Sequence, residues 1–199
     1  MNRIKHIHNI FPHISTMAND LTTAKTVTLR DRVGDWIFKH FWHSDMRPSP
    51  ILVLEYTKVL MNVAAADGVL ADAERKWILG NFLAKGGADE DVEFFEKYTP
   101  SKQEIEETLN VRPTFVQEIS RAILFESFQA ASADDELHKD ERNAIFRLAQ
   151  IMNIPEAEVN EIEELFKAEV AHRKRVVDLM FPKGIKGTCD VSIHEFVNK

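Results

Sequence analysis

The sequence predicts an all-α fold, a bundle of about seven helices containing two pseudo-symmetric helix–turn–helix repeats. Three observations carry this reading. Apolar residues recur at three- and four-residue spacing along most of the chain, no segment reads as a strand, and one acidic helix–turn–helix pattern occurs twice.

Taken in order, residues 1–28 show no sustained period and read as a flexible N-terminal segment. Leu29 to His43 carries Val33, Ile37 and Phe41 at helical spacing, with Trp36, Phe38 and Trp42 broadening the face; Pro48 and Pro50 end it. Ile51 to Ala66 is apolar nearly all round, so it belongs at the centre of the bundle. Asp67-Gly68 is a turn, and Asp72 to Ala84 is a third helix stopped by Gly86-Gly87. A short acidic helix follows over Asp89 to Tyr98, and Ser101-Lys-Gln-Glu104 has the capping-box form of a new start. Pro113 opens a helix to about Ala133, Lys139 to Met152 is the next, and Pro155 opens a long last one to about Phe181. That last helix is acidic early and basic later, the order its dipole favours. From Pro182 onward the chain reads as an irregular tail.

The internal match is the strongest single signal. Residues Ala64 to Ile78 align with Ala131 to Ile145 at an offset of 67, sharing A-x-A-D-x-x-L-x-x-x-E-R-x-x-I, seven identities in fifteen positions. Each shared position has a structural role. The alanines allow close helix approach, Asp67 and Asp134 accept turn N–H groups, and Leu70 and Leu137 anchor the turn. Glu74 and Glu141 stand at the third position of a new helix, where a carboxylate reaches back to cap it. Ala71 and His138 occupy the partner position, so the capping box is half-formed in both copies.

At 199 residues the chain suits one ordinary domain, and the single cysteine, Cys189, excludes an intrachain disulfide and suits a reducing compartment. A net charge of −7 makes nucleic acid a poor partner. No run reaches the ~18 apolar residues of a membrane span, so membrane association is expected to be peripheral or through partners. A cytoplasmic location is expected. The lesser alternative is mitochondrial, with residues 1–16 as a poor presequence or dispensable upstream of Met17. There is no phosphate-cradling glycine loop, nucleophile elbow or H-E-x-x-H, so no enzyme is expected.

At the two A-D-x-x-L-x-x-x-E units, with Asp91 to Lys97 between them, the chain resembles the tellurite-resistance protein B (TerB-like) family. That family in turn is similar to the N-terminal domain of a DnaJ-type membrane-anchored co-chaperone. The likeness covers about residues 50–160. It implies a fold of about seven helices, no known catalysis, a role in stress-response or membrane-associated assemblies, and acidic residues proposed to bind a metal ion. The second copy departs from the pattern at Asp135, where the first has Gly68. The organisation is then 1–28 flexible segment, 29–181 TerB-like helical domain and 182–199 tail.

Two function classes follow. The first is a non-catalytic interaction module with protein partners. The second is a divalent-cation protein taking calcium, magnesium or zinc at its acidic turns, through Asp67, Asp72 and Glu74 in one and Asp134, Asp135, Asp140 and Glu141 in the other. Neither turn has EF-hand spacing, and acid-rich helix starts are common without any ligand. His40 and His43 would make a zinc pair lacking further ligands, and the aromatics of 36–42 are expected in the core rather than on a docking face. The basic run His172 to Arg175 suits a solvated helix face better than a lipid contact.

Overall fold

The structure is a computed structural model that describes residues 27–65, 69–101, 113–134 and 136–186, with 113–116 described by backbone alone. Seven helices run through them: α1 (Leu29–Phe41), α2 (Pro50–Ala64), α3 (Asp72–Ala84), α4 (Asp89–Lys97), α5 (Pro113–Ala131), α6 (Lys139–Ile151) and α7 (Glu156–Met180). Among the described residues there is no strand.

Helix α2 is central, as its all-round apolar sequence requires: every residue from Thr57 to Ala64 is buried. Its residues enter two apolar clusters. Leu60, Met61 and Ala64 pack with Ile78 and Phe82 of α3 and Phe95 of α4, where the Phe82 and Phe95 rings meet edge-on at 5.0 Å. Val59 and Val63 pack with Ile123, Leu124 and Phe128 of α5, Ile145 and Leu148 of α6, and Val159 and Ile162 of α7. The buried amide of Asn62 in α2 is satisfied internally. Asn62 donates to the Lys58 carbonyl and the Tyr98 hydroxyl, each at 2.9 Å, and accepts the Ser101 N–H at 2.6 Å. That side chain therefore ties the segment after α4 to the core.

The ends of α3 and α6 follow one design. Both are entered through a residue, Ala71 or His138, that gives no side-chain cap. Both stop at a left-handed residue, Gly86 at φ 88° and Asn153 at φ 57°, the residue types that accept that conformation most easily. One residue on, the Gly87 N–H reaches the Phe82 carbonyl and the Ile154 N–H reaches the Ala149 carbonyl, both at 2.9 Å. These positions are again 67 apart, so the local likeness extends past the fifteen aligned residues.

Helix α1 departs from expectation. Its only buried residue is Gly34, where an added Cβ would lie 3.1 Å from the Lys85 carbonyl oxygen. Close backbone approach, rather than an aromatic stripe, seats it on the end of α3. Its start is a complete capping box: the Asp31 N–H donates to the Thr28 hydroxyl at 3.1 Å and the Thr28 N–H donates to the Asp31 carboxylate at 2.9 Å. Arg47 pairs with Asp31, and with Asp35 at 2.7 Å, clamping the following loop back onto the helix. The Thr28 hydrogen bonds, with Arg47 beside them, hold the Asp31 carboxyl down at about 2.

Candidate functional site

Glu74 and Glu141 each stand at the third position of their helices, and one oxygen of each does what the sequence predicts. Glu74 Oε2 accepts the Ala71 N–H at 2.7 Å, and Glu141 Oε2 accepts the His138 N–H at 2.9 Å. Helix starts are usually wet, but these carboxyls are only 2% exposed apiece. They are buried because they meet: the Glu141 carboxyl lies within hydrogen-bonding reach of Glu74. Among the described residues no donor faces Glu74 Oε1, which is buried and unpartnered. Two carboxylates offer each other only lone pairs, so the contact becomes a hydrogen bond only when one of them carries a proton.

Burial pushes the Glu74 carboxyl up to about 8, against the opposing Ala71 N–H, and Glu141 and the charge of Asp134 add to the rise. Two ligand states relieve such a pair: one shared proton, or a hard cation between two ionised carboxylates.

The seven acidic residues expected at a metal site separate into three groups. Glu74 and Glu141 converge, and Asp134 is near enough to act on them electrostatically. Asp134 also shapes its turn, accepting the Glu136 N–H at 3.1 Å. Asp72 and Asp140 are exposed on the first turns of α3 and α6. Asp67 and Asp135 lie outside the described residues. Among the described residues no three acidic, histidine or cysteine side chains are grouped to hold a metal. The His40–His43 pair does not share a helix, because α1 ends at Phe41 and His43 takes a left-handed φ of 50°.

The arginine that follows each glutamate reaches away from the pair. Arg75 donates to the Phe95 carbonyl at 2.6 Å and the Tyr98 carbonyl at 3.2 Å, holding the end of α4. Arg142 makes a forked ion pair with Glu163 of α7, its shortest bond 2.8 Å. Burial alone would raise the Glu163 carboxyl, but Arg142 and Lys167 outweigh it and the carboxyl is lowered.

Two further features were not read from the sequence. The first is a groove of about 580 Å³ lined by Phe38, Trp42, Met46, Pro48, Leu52 and Tyr56, with a Lys85–Glu126 ion pair in its wall. Asn81 donates to the same Glu126 oxygen at 2.7 Å, and the Lys85 ammonium lies 4.2 Å from the Tyr56 ring centre. Lys85 reads in sequence as a helix end and Glu126 as an interruption of an apolar run, so no local signal pairs them. The second is the aromatic set of α1, expected in the core. Val33, Trp36, Phe41 and Trp42 are exposed instead, Trp36 by 54%.

Among the described residues the domain is all-helical, and two buried carboxyls meet between the starts of α3 and α6; that fold and site define the class of this protein. Residues 54–164 match the family described as tellurite resistance protein TerB, more than half of the chain, and the protein belongs to that family. A crystal structure of a tellurite resistance protein from Nostoc punctiforme superposes with a TM-score of 0.71 at 29% identity, covering 79% of this chain and 98% of that one. No curated protein matches the chain.

Proposed function

We propose that this TerB-family protein is a non-catalytic helical module that docks protein partners in a stress-response or membrane-proximal complex, in the tellurite-resistance setting its relatives' names indicate. The observation that carries the reading is the exposed aromatic face of α1. Val33, Trp36, Phe41 and Trp42 stand bare beside an apolar groove, and a patch rich in tryptophan and phenylalanine is the composition of a protein-binding hot spot. The non-catalytic reading is supported by the Lys85–Glu126 ion pair in the groove's wall, which Asn81 completes, so that these groups bond one another rather than face open space. A photocrosslinker placed at Trp36 in cells should trap a defined protein, whereas one at the exposed Glu90 should not. Identical trapping from both positions, or from neither, contradicts docking by α1.

A second reading is favoured by the unpartnered Glu74 Oε1. A divalent cation (calcium, magnesium or zinc) would take the two facing carboxyls as ligands and replace the shared proton, with Asp134 adding negative potential. Chelator-treated protein is melted with each ion in turn, beside Glu74→Gln. At 100 times its dissociation constant the ion adds about 2.7 kcal/mol to the parent. A shift confined to the parent supports the site, and no shift with any ion removes it.

A further inference from the structure

Helix α7 changes its surroundings halfway along. Its inward stripe, Val159, Ile162 and Phe166, is buried against the core. From Val170 to Lys186 every residue is exposed. The stripe nevertheless continues on the same face: Val170, Val177 and Met180 follow at helical spacing, and Phe181 extends it. The bare part of the helix, 170–180, is about 16 Å long at ~1.5 Å per residue. This half also lies beyond the residues matched to the TerB family.

Its charge is opposite to that of the protein. Arg173, Lys174, Arg175, Lys183 and Lys186 stand against one acid, Asp178, in a chain of net charge −7. Arg173 pairs with Glu169, and Lys174 with Asp178 at 2.8 Å, but these are exposed pairs of one helix that hold their cations weakly. Arg173 falls within the apolar face, where a long side chain can lay its stem on the apolar surface and lift its head to an anionic layer. No described helix is long and apolar enough to cross a membrane. A second copy laid along the same face would set this basic stretch against its like.

We propose that the distal half of α7 lies on the surface of an anionic lipid bilayer. Val170, Val177 and Met180 enter the headgroup boundary, the basic residues meet lipid phosphates, and the acidic body is held outward. This deepens the membrane-proximal part of the reading above and makes the contact direct, without using α1 or the glutamate pair.

The test is sedimentation of the full chain with phosphatidylcholine vesicles, with and without phosphatidylglycerol. Binding should require the anionic lipid and weaken with salt. It should fall about a hundredfold in Arg173→Gln/Lys174→Gln/Arg175→Gln, because each cation near such a surface contributes about fivefold. Val177→Ser/Met180→Ser should also lose binding. Both variants keep the parent's melting midpoint, since these side chains are exposed. No binding, equal binding to neutral vesicles, or unchanged binding by the triple variant overturns the proposal. So does self-association that Val177→Ser/Met180→Ser abolishes, which gives the face to a second copy. Trapping at Trp36 that persists when vesicle binding is absent removes this inference and leaves partner docking standing.

Discussion

The segment 71–87 and the segment 138–154 show one local plan used twice with different attachments. In both, an uncapped first position is served by a glutamate three residues on, an isoleucine fills the core, and a left-handed residue ends the helix. In both, the glutamate turns inward to meet the other and the arginine turns outward. The outward contacts differ: Arg75 holds neutral carbonyls at the end of α4, whereas Arg142 holds the ionised Glu163 of α7. The lesson is that the short E-R pattern has a private half and a shared half. Arginine fastens whatever element follows, and glutamate faces the matching turn.

Three sets of substitutions sharpen that comparison. Ile78 and Ile145 are fully buried at matched positions, so Ile78→Ala and Ile145→Ala should each cost about 2–5 kcal/mol in denaturant unfolding. A large difference between them would show that the two cores are not equally tight. Arg75→Ala and Arg142→Ala should each cost about 1–3 kcal/mol, but with different pH dependence. Glu163 is lowered in the folded state, so its contribution is present above its unfolded pKa and is lost as pH falls through the folded one. The Arg142→Ala penalty should therefore shrink in acid and the Arg75→Ala penalty should not. The smallest effect is a gain. Ala71→Ser and His138→Ser complete each capping box and should add about 1 kcal/mol, seen as a higher melting midpoint.

Most of the fold was legible because helix signals are local. Asp72 to Ala84 matches its expected helix at both ends, and the other described helices lie within two residues of theirs, while the start expected at Ser101-Lys-Gln-Glu104 runs outside the described residues. The start of α1 at Leu29 was legible, but its capping box was not, because it uses Asp31 where the usual pattern has glutamate or glutamine. The site was legible in part. Glu74 and Glu141 were read as caps, and one oxygen of each is a cap, but the meeting of the two carboxyls depends on two distant helix starts packing together. Asp72 was grouped with Glu74 by nearness in sequence, yet two positions along a helix place them ~200° apart around it. The aromatics of α1 carry a core-like period, but Gly34 and the Arg47 clamp seat that helix and leave the rings bare. For the same reason the stripe of α7 says where a helix can be buried and not where the body ends.

The central claim is that Glu74 and Glu141 form one buried acid pair between the two turns, and the pH dependence of unfolding tests it most directly. Glu74 is raised in the folded state to about 8 from an ordinary 4.5, so the folded protein holds a proton that the unfolded chain releases in that window. The contribution to stability is fully present below about 4.5 and is lost as pH rises towards 8. In Glu74→Gln the amide still accepts the Ala71 N–H and donates to Glu141, so the decline should flatten and the variant should exceed the parent at pH 8. Exposed histidines are common to both proteins and cancel in the difference. Parallel profiles, with the variant no more stable at pH 8 than at pH 5 relative to the parent, would contradict the pair.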